Sequence, residues 1–96
     1  MAIQGVTPNS AQADTQVALN IVGSGFQNGA VVTFEGGSGG AQEITSVQVV
    51  SPNLITLNMT ARNDGSAGTQ VWDIRVINPD SSSAVLTDAF TVYPIP

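Results

Sequence analysis

The chain reads as all-β, a two-layer sandwich of about seven antiparallel strands, one domain over residues 1–96. Three features of the sequence say so. Gly, Ser, Thr, Asn and Val are abundant while Leu, Glu and Lys are scarce, a bias toward strands and tight turns and away from helices. Apolar residues alternate with polar ones in one short run after another. Turn signals rich in Gly, Pro and Asn separate those runs at sandwich-like spacing.

In chain order, Ile3 to Thr7 is the first strand, ended by Pro8, which lacks an amide donor and suits a strand edge. Asn9 to Asp14 is a polar connection. Gln16 to Val22 alternates, with Val17, Leu19 and Ile21 on one side and Ala18, Asn20 and Val22 on the other. Gly23-Ser24-Gly25 breaks that strand, and Phe26 turns inward to plug the end of the core. Asn28-Gly29 is a tight-turn dipeptide. Ala30 to Gly36 follows, with Val32 and Phe34 on one face. Gly36-Gly37-Ser38-Gly39-Gly40 is a flexible connection and not a phosphate loop, since it lacks the lysine and the following helix.

Glu43 to Val50 places Val47 and Val49 inside. After the Ser51-Pro52-Asn53 turn, Leu54 to Thr60 turns Ile55, Leu57 and Met59 inward. Ala61 to Gly68 is a polar loop. Gln70 to Asn78 is expected to be the longest strand, with Trp72, Ile74 and Val76 on one face and Asp73 and Arg75 paired on the other. Asn78-Pro79-Asp80 opens a turn. Ala84 to Leu86 and Ala89 to Tyr93 form a last strand broken near Thr87-Asp88. The predicted core is Val17, Leu19, Ile21, Phe26, Val32, Phe34, Val47, Val49, Ile55, Leu57, Trp72, Ile74, Val76, Phe90 and Val92. No internal repeat suggests a solenoid.

Composition removes several functions. Two arginines face seven carboxylates, the net charge is -5, and lysine is absent. Such a chain repels a phosphate backbone and an anionic membrane surface, so neither nucleic acid nor membrane is an expected partner. No apolar run is long enough for a transmembrane helix. No signal peptide is visible at Met1-Ala2-Ile3-Gln4, which fits a module excised from a longer chain with any export signal outside it. Without Cys or His, the Ser-His and Cys-His nucleophile systems and the usual zinc sites cannot be built. Without Lys there is no Schiff base and no Lys-Asn isopeptide crosslink. A Cys-free, Lys-free chain rich in Thr, Asn and Ser fits a secreted or bacterial surface protein.

Carboxylates are what remain. Asp14, Glu35, Glu43, Asp64, Asp73, Asp80 and Asp88 fall among turns and outer strand faces, which predicts solvated surface charges and no glycosidase pair. Asn63-Asp64-Gly65 offers oxygen ligands of the kind calcium takes, but its spacing matches no full calcium loop, and an Asx turn is the expectation. Trp72 belongs to the core by its period, while Tyr93 lies exposed near the end of the last strand. Asn58-Met59-Thr60 matches a glycosylation acceptor inside a predicted strand, which makes it a chance match. No catalytic, cofactor-binding or metal-binding residue is assigned, and no cofactor is expected.

Pro8, Gly23-Ser24-Gly25-Phe26, Val32-Thr33-Phe34, Asn78-Pro79-Asp80 and Phe90-Thr91-Val92, in this order, resemble the IPT/TIG domains. These are immunoglobulin-like modules of the E-set type, found in plexins, Rel-type transcription factors and many bacterial surface proteins. The resemblance covers nearly the whole chain. Ser81 departs from it, standing where the family often has Gly, and the stretches Gly36 to Gln42 and Ala61 to Thr69 are longer than usual. The family has no shared catalytic residues to carry over. The resemblance implies a non-enzymatic structural or protein-interaction module, one domain of a larger extracellular or cell-surface protein. Its partners would be another protein or neighbouring domains of the same chain. The alternative is an accessory carbohydrate-binding or spacer domain of a polysaccharide-active enzyme, which needs exposed aromatics. A homodimer through a sheet edge is a further expectation, because edges are often guarded by Lys and this chain has none.

Overall fold

A computed structural model describes residues 1–36, 42–62 and 69–94. Alternation becomes strand throughout, and among the described residues there is no helix. The strands are β1 (Ala2–Thr7), β2 (Ser10–Gln12), β3 (Gln16–Ser24), β4 (Val31–Glu35), β5 (Glu43–Ser51), β6 (Leu54–Thr60), β7 (Gln70–Ile77) and β8 (Ser83–Tyr93). They form two four-stranded sheets, β1-β3-β6-β5 and β2-β8-β7-β4. That is the strand order of a constant-type immunoglobulin sandwich whose first strand is shared between the sheets.

The shared first strand corrects the expected count. The chain crosses at Pro8 from the first sheet to the second, and residues placed in a polar connection form β2. β2 lies parallel to β8, with Ser10 opposite Thr91 and Gln12 opposite Tyr93, so the described residues form eight strands with one parallel pairing. Only three residues take part, too few to show an alternation. The crossing also closes one side wall of the sandwich, where Ile3, Val6 and Ala11 pack on the core. The opposite wall is bounded by the edge strands β4 and β5.

Between the sheets lie Val17, Leu19 and Ile21 of β3, Ile55, Leu57 and Met59 of β6, Trp72, Ile74 and Val76 of β7, and Phe90 and Val92 of β8. Phe26 and Val32 are buried with them, and Ala13, Ala30, Ala61 and Ala89 fill the ends. Phe34 and Phe90 meet edge to face with ring centroids 5.9 Å apart, an arrangement favoured by the ring quadrupoles.

Three predicted core residues sit at this wall, which no described strand covers. Phe34 and Val49 are half-buried, and Val47 is 37% exposed. Val47 does face the same side as its partner Leu57. Alternation therefore gives its direction correctly, but an edge strand leaves an inward side chain uncovered on one flank.

Two further expectations change. β3 is not broken at Gly23 but continues through Ser24. Gly23 is needed for approach: a Cβ there would lie 2.1 Å from the Ala2 carbonyl oxygen and 2.7 Å from the Phe26 ring. The turn comes at Gly25, whose φ of 76° suits glycine. The longest strand is β8, at eleven residues, and it is continuous. Its expected break is a bulge. Trp72 pairs with Phe90 and Ile74 with Leu86, leaving the extra residues around Asp88, which adopts φ 53°.

Candidate functional site

β7 runs through the second sheet and ends in a buried amide on either side. At its far end Asn78 is 3% exposed and fully engaged. Its Nδ2 donates to the Gly25 carbonyl at 2.9 Å and to Ser82 Oγ at 3.2 Å, and its Oδ1 accepts the Gln27 amide at 3.1 Å. The Ser81 N–H donates to the Asn78 carbonyl at 2.9 Å, closing the predicted turn, and the Asn78 N–H donates to the Ser82 carbonyl. Ser81 takes φ 75° there. The backbone thus keeps the conformation that glycine favours, and a serine adopts it.

Asp80 extends this knot. It accepts from Ser82 Oγ at 2.6 Å, from the Ser82 N–H at 2.9 Å and from Gln27 Nε2 at 3.0 Å. The Ser82 hydroxyl, then the Ser82 amide, then Gln27, hold its carboxyl below the ordinary aspartate range. Nearby, Asn53 Nδ2 donates to the Gly23 carbonyl and Phe26 N–H to the Pro52 carbonyl, tying the turn after β5 to the same end.

At the other end of β7, Gln70 is 4% exposed on the inward face, two residues before Trp72. Among the described residues, neither side-chain amide atom of Gln70 nor the Trp72 indole N–H has a hydrogen-bond partner. Around this end, Gln42 and Arg62 exchange two bonds of 2.8 Å, Gln42 Nε2 to the Arg62 carbonyl and the Arg62 N–H to Gln42 Oε1. The Arg62 guanidinium reaches Glu43 at 2.6 Å and Asp14 at 3.5 Å. The hydrogen bond to Glu43 first, and the charge of Asp14 further down, hold Arg62 protonated beyond its ordinary range.

The outer face of the second sheet carries the remaining described charges. Glu35 of β4 lies directly opposite Asp73 of β7. The pairing predicted between Asp73 and Arg75 is not made. Arg75 Nε instead donates to Glu35 at 2.7 Å, and Asp73 Oδ1 accepts the Asp88 N–H at the bulge. Glu35 and Asp73 are nevertheless two carboxylates on facing strands, as a glycosidase would require. The Arg75 hydrogen bond lowers the Glu35 pKa, whereas a general acid needs it raised. Both lie on an open sheet face.

Around this ion pair Thr33, Asp73 and Ser83 are polar, and aliphatic side chains lie beside them. Val31 pairs with Ile77, and Arg75 pairs with Val85. Val31 is 54% exposed and Val85 40%, with Val71 and Tyr93 exposed farther along the sheet. Alternation did not single out this patch, since it marks which residues leave the core and not whether they gather.

The outer face of the first sheet is different. From Gln16, Ala18 and Asn20 across Thr56, Asn58 and Thr60 to Ser46 and Gln48 it is uncharged and mostly polar, with Glu43 at one rim and exposed Val22 and Val50 toward the other. A shallow depression of about 430 Å³ there is lined by Gln16, Ala18, Thr45, Asn58 and Thr60 among others. Asn58 is exposed within β6, its Nδ2 donating to Ser46 Oγ.

Trp72 is 4% exposed, as its period predicts, and Tyr93 is 48% exposed. Among the described residues no group of three or more acids is placed to hold a metal ion. Asn63-Asp64-Gly65 lies outside the described residues, as does most of the Gly36 to Gly40 stretch. No protein-family model and no curated protein matches the chain.

Proposed function

We propose that this chain is a non-catalytic interaction module of the IPT/TIG kind, one unit of a larger extracellular or cell-surface protein, and that it works through the outer face of the second sheet. The observation behind this reading is that exposed Val31 and Val85 and half-buried Ile77 lie beside the Glu35–Arg75 pair. Apolar side chains gathered on a rigid sheet, beside an arginine already paired with Glu35, favour contact with another protein. The first sheet has exposed aliphatics too, Val22 and Val50, but at one end, while its middle offers hydroxyls and amides and no ion pair.

The carbohydrate-binding alternative is weaker on this geometry. Its stacking platform would be Trp72, which lies between the sheets, and a single exposed tyrosine is a poor substitute. A photo-crosslinking residue at Val85 in the full-length protein, with one at Asn20 on the first sheet as control, tests the reading. Adducts to a partner protein or neighbouring domain are expected at position 85 and not at 20. Equal labelling at both positions, or none at 85, would overturn it.

A further inference from the structure

The four outer strands of the sandwich are unequally protected. β1 is interrupted by a register shift between Ile3 and Gly5. β2 is three residues long. β5 carries two register shifts, between Ile44 and Ser46 and between Val49 and Ser51. Bulges and short length are established ways of preventing an edge from recruiting another strand. β4 has neither: its five residues pair in unbroken register with β7, and among the described residues nothing pairs with its other edge. It contains no proline and no lysine, and its one charge, Glu35, stands at the end of the strand and is matched by Arg75.

From this difference we propose that β4 is an association edge, and that its occupant is β4 of a second copy of this chain, antiparallel about a two-fold axis at Thr33. The strand is self-complementary in this register. Thr33 meets Thr33, and inward-facing Val32 meets Phe34 of the other copy, so the half-buried Phe34 gains cover. Glu35 meets Val31, so no like charges stand directly opposite each other. The two second sheets become one continuous sheet, and the open wall of each sandwich is covered. Pairing over five residues is a small interface, so the dimer is weak and concentration-dependent. Each copy carries a net charge of -5, so added salt strengthens the association by screening their repulsion. Val31 and Glu35 belong both to this edge and to the margin of the outer-face patch, whereas Ile77 and Val85 lie outside the pairing, so the test at position 33 is separate from the one at position 85.

A chain without cysteine makes the test direct. Residues opposite each other in an antiparallel pair have Cα atoms about 4.5–5.5 Å apart, within the span of a disulfide. Single variants Thr33→Cys, Gln48→Cys on the β5 edge and Val85→Cys on the outer face are oxidised side by side. Sedimentation of the wild type and of Thr33→Lys is followed from ~10 µM to ~1 mM, a range suited to weak complexes. The expected result is a wild-type dimer that grows with concentration and salt, loss of that dimer in Thr33→Lys, and fastest covalent dimerisation in Thr33→Cys. A wild type that stays monomeric throughout would overturn the proposal. So would covalent dimerisation that is as fast through position 48 or 85 as through 33, or a dimer that salt dissolves.

Discussion

β7 ends in two buried amides that have opposite surroundings. Asn78 satisfies its side chain with the Gly25 carbonyl, Ser82 and the Gln27 amide, and so joins the turn after β3 to the turn before β8. Gln70, equally buried, has no partner for either amide atom among the described residues, and the Trp72 indole N–H beside it has none either. Burial is the same and residue chemistry is nearly so. The difference is partner count, which decides whether a buried amide stabilises or costs stability. A polar residue in a core is therefore informative only together with what it touches.

The strongest way to break the comparison is Asn78→Ala. It removes three side-chain bonds and leaves the part-buried Gly25 carbonyl and Gln27 amide without this partner, and the expected loss is about 2 kcal/mol in urea unfolding. A loss well under 1 kcal/mol would show that the knot is dispensable. Gln70→Met should act with the opposite sign. It keeps the volume and deletes the two unpaired polar atoms, so unfolding should become harder by about 1–2 kcal/mol. Destabilisation by that change would mean the amide is hydrogen-bonded in solution, and the contrast between the ends would disappear.

Ser81→Gly sharpens the comparison within the Asn78 end. A serine at φ 75° carries a conformational cost that glycine does not. Allowing for glycine's greater freedom when unfolded, a gain of up to about 1 kcal/mol is expected in the same assay. The smallest effect is on acid stability. The folded-state pKa of Asp80 is depressed, chiefly by Ser82. The stability this carboxylate contributes is therefore complete above its unfolded pKa of about 3.9, and it is lost as pH falls through the lower folded value. Asp80→Asn should differ from the wild type by a constant amount above about pH 5, and the gap should close at lower pH. Glu35, lowered by Arg75, follows the same sign on the outer face. A gap that widens toward acid would refute the assigned cause.

Much of the fold was legible because alternation reports direction. Leu54 to Thr60 was bounded correctly, and the inward sets of β3, β6 and β7 follow directly from their period. The failures share one origin, that period carries no information about neighbours. Val47 points inward but, among the described residues, has no strand beyond it. β2 is too short for a period to register. Sequence spacing pairs Arg75 with Asp73 on its own strand, but its partner is Glu35 of β4, a choice set by register between distant segments. The turn at Asn78 was visible from Asn-Pro-Asp, whereas its role as a link between loops was not, because Gln27 and Gly25 lie fifty or so positions away. The aliphatic patch on the second sheet was hidden for the same reason: Val31, Ile77 and Val85 become neighbours only once three strands are laid side by side.

The shared first strand bears on how the molecule would carry tension. Ala2 lies opposite Ser24 at the Asn78 end, while Tyr93 lies opposite Gln12 near Gln70, so the two ends of the described chain leave from opposite poles of the sandwich. A pull applied through them draws β2 and β8, which run parallel, in opposing directions along their length. Their bonds are then loaded in shear and must fail together, where a hairpin pulled from its open end would unzip one rung at a time. The pull reaches β2 through β1, so the β1–β3 and β2–β8 pairings together would be the first barrier to extension.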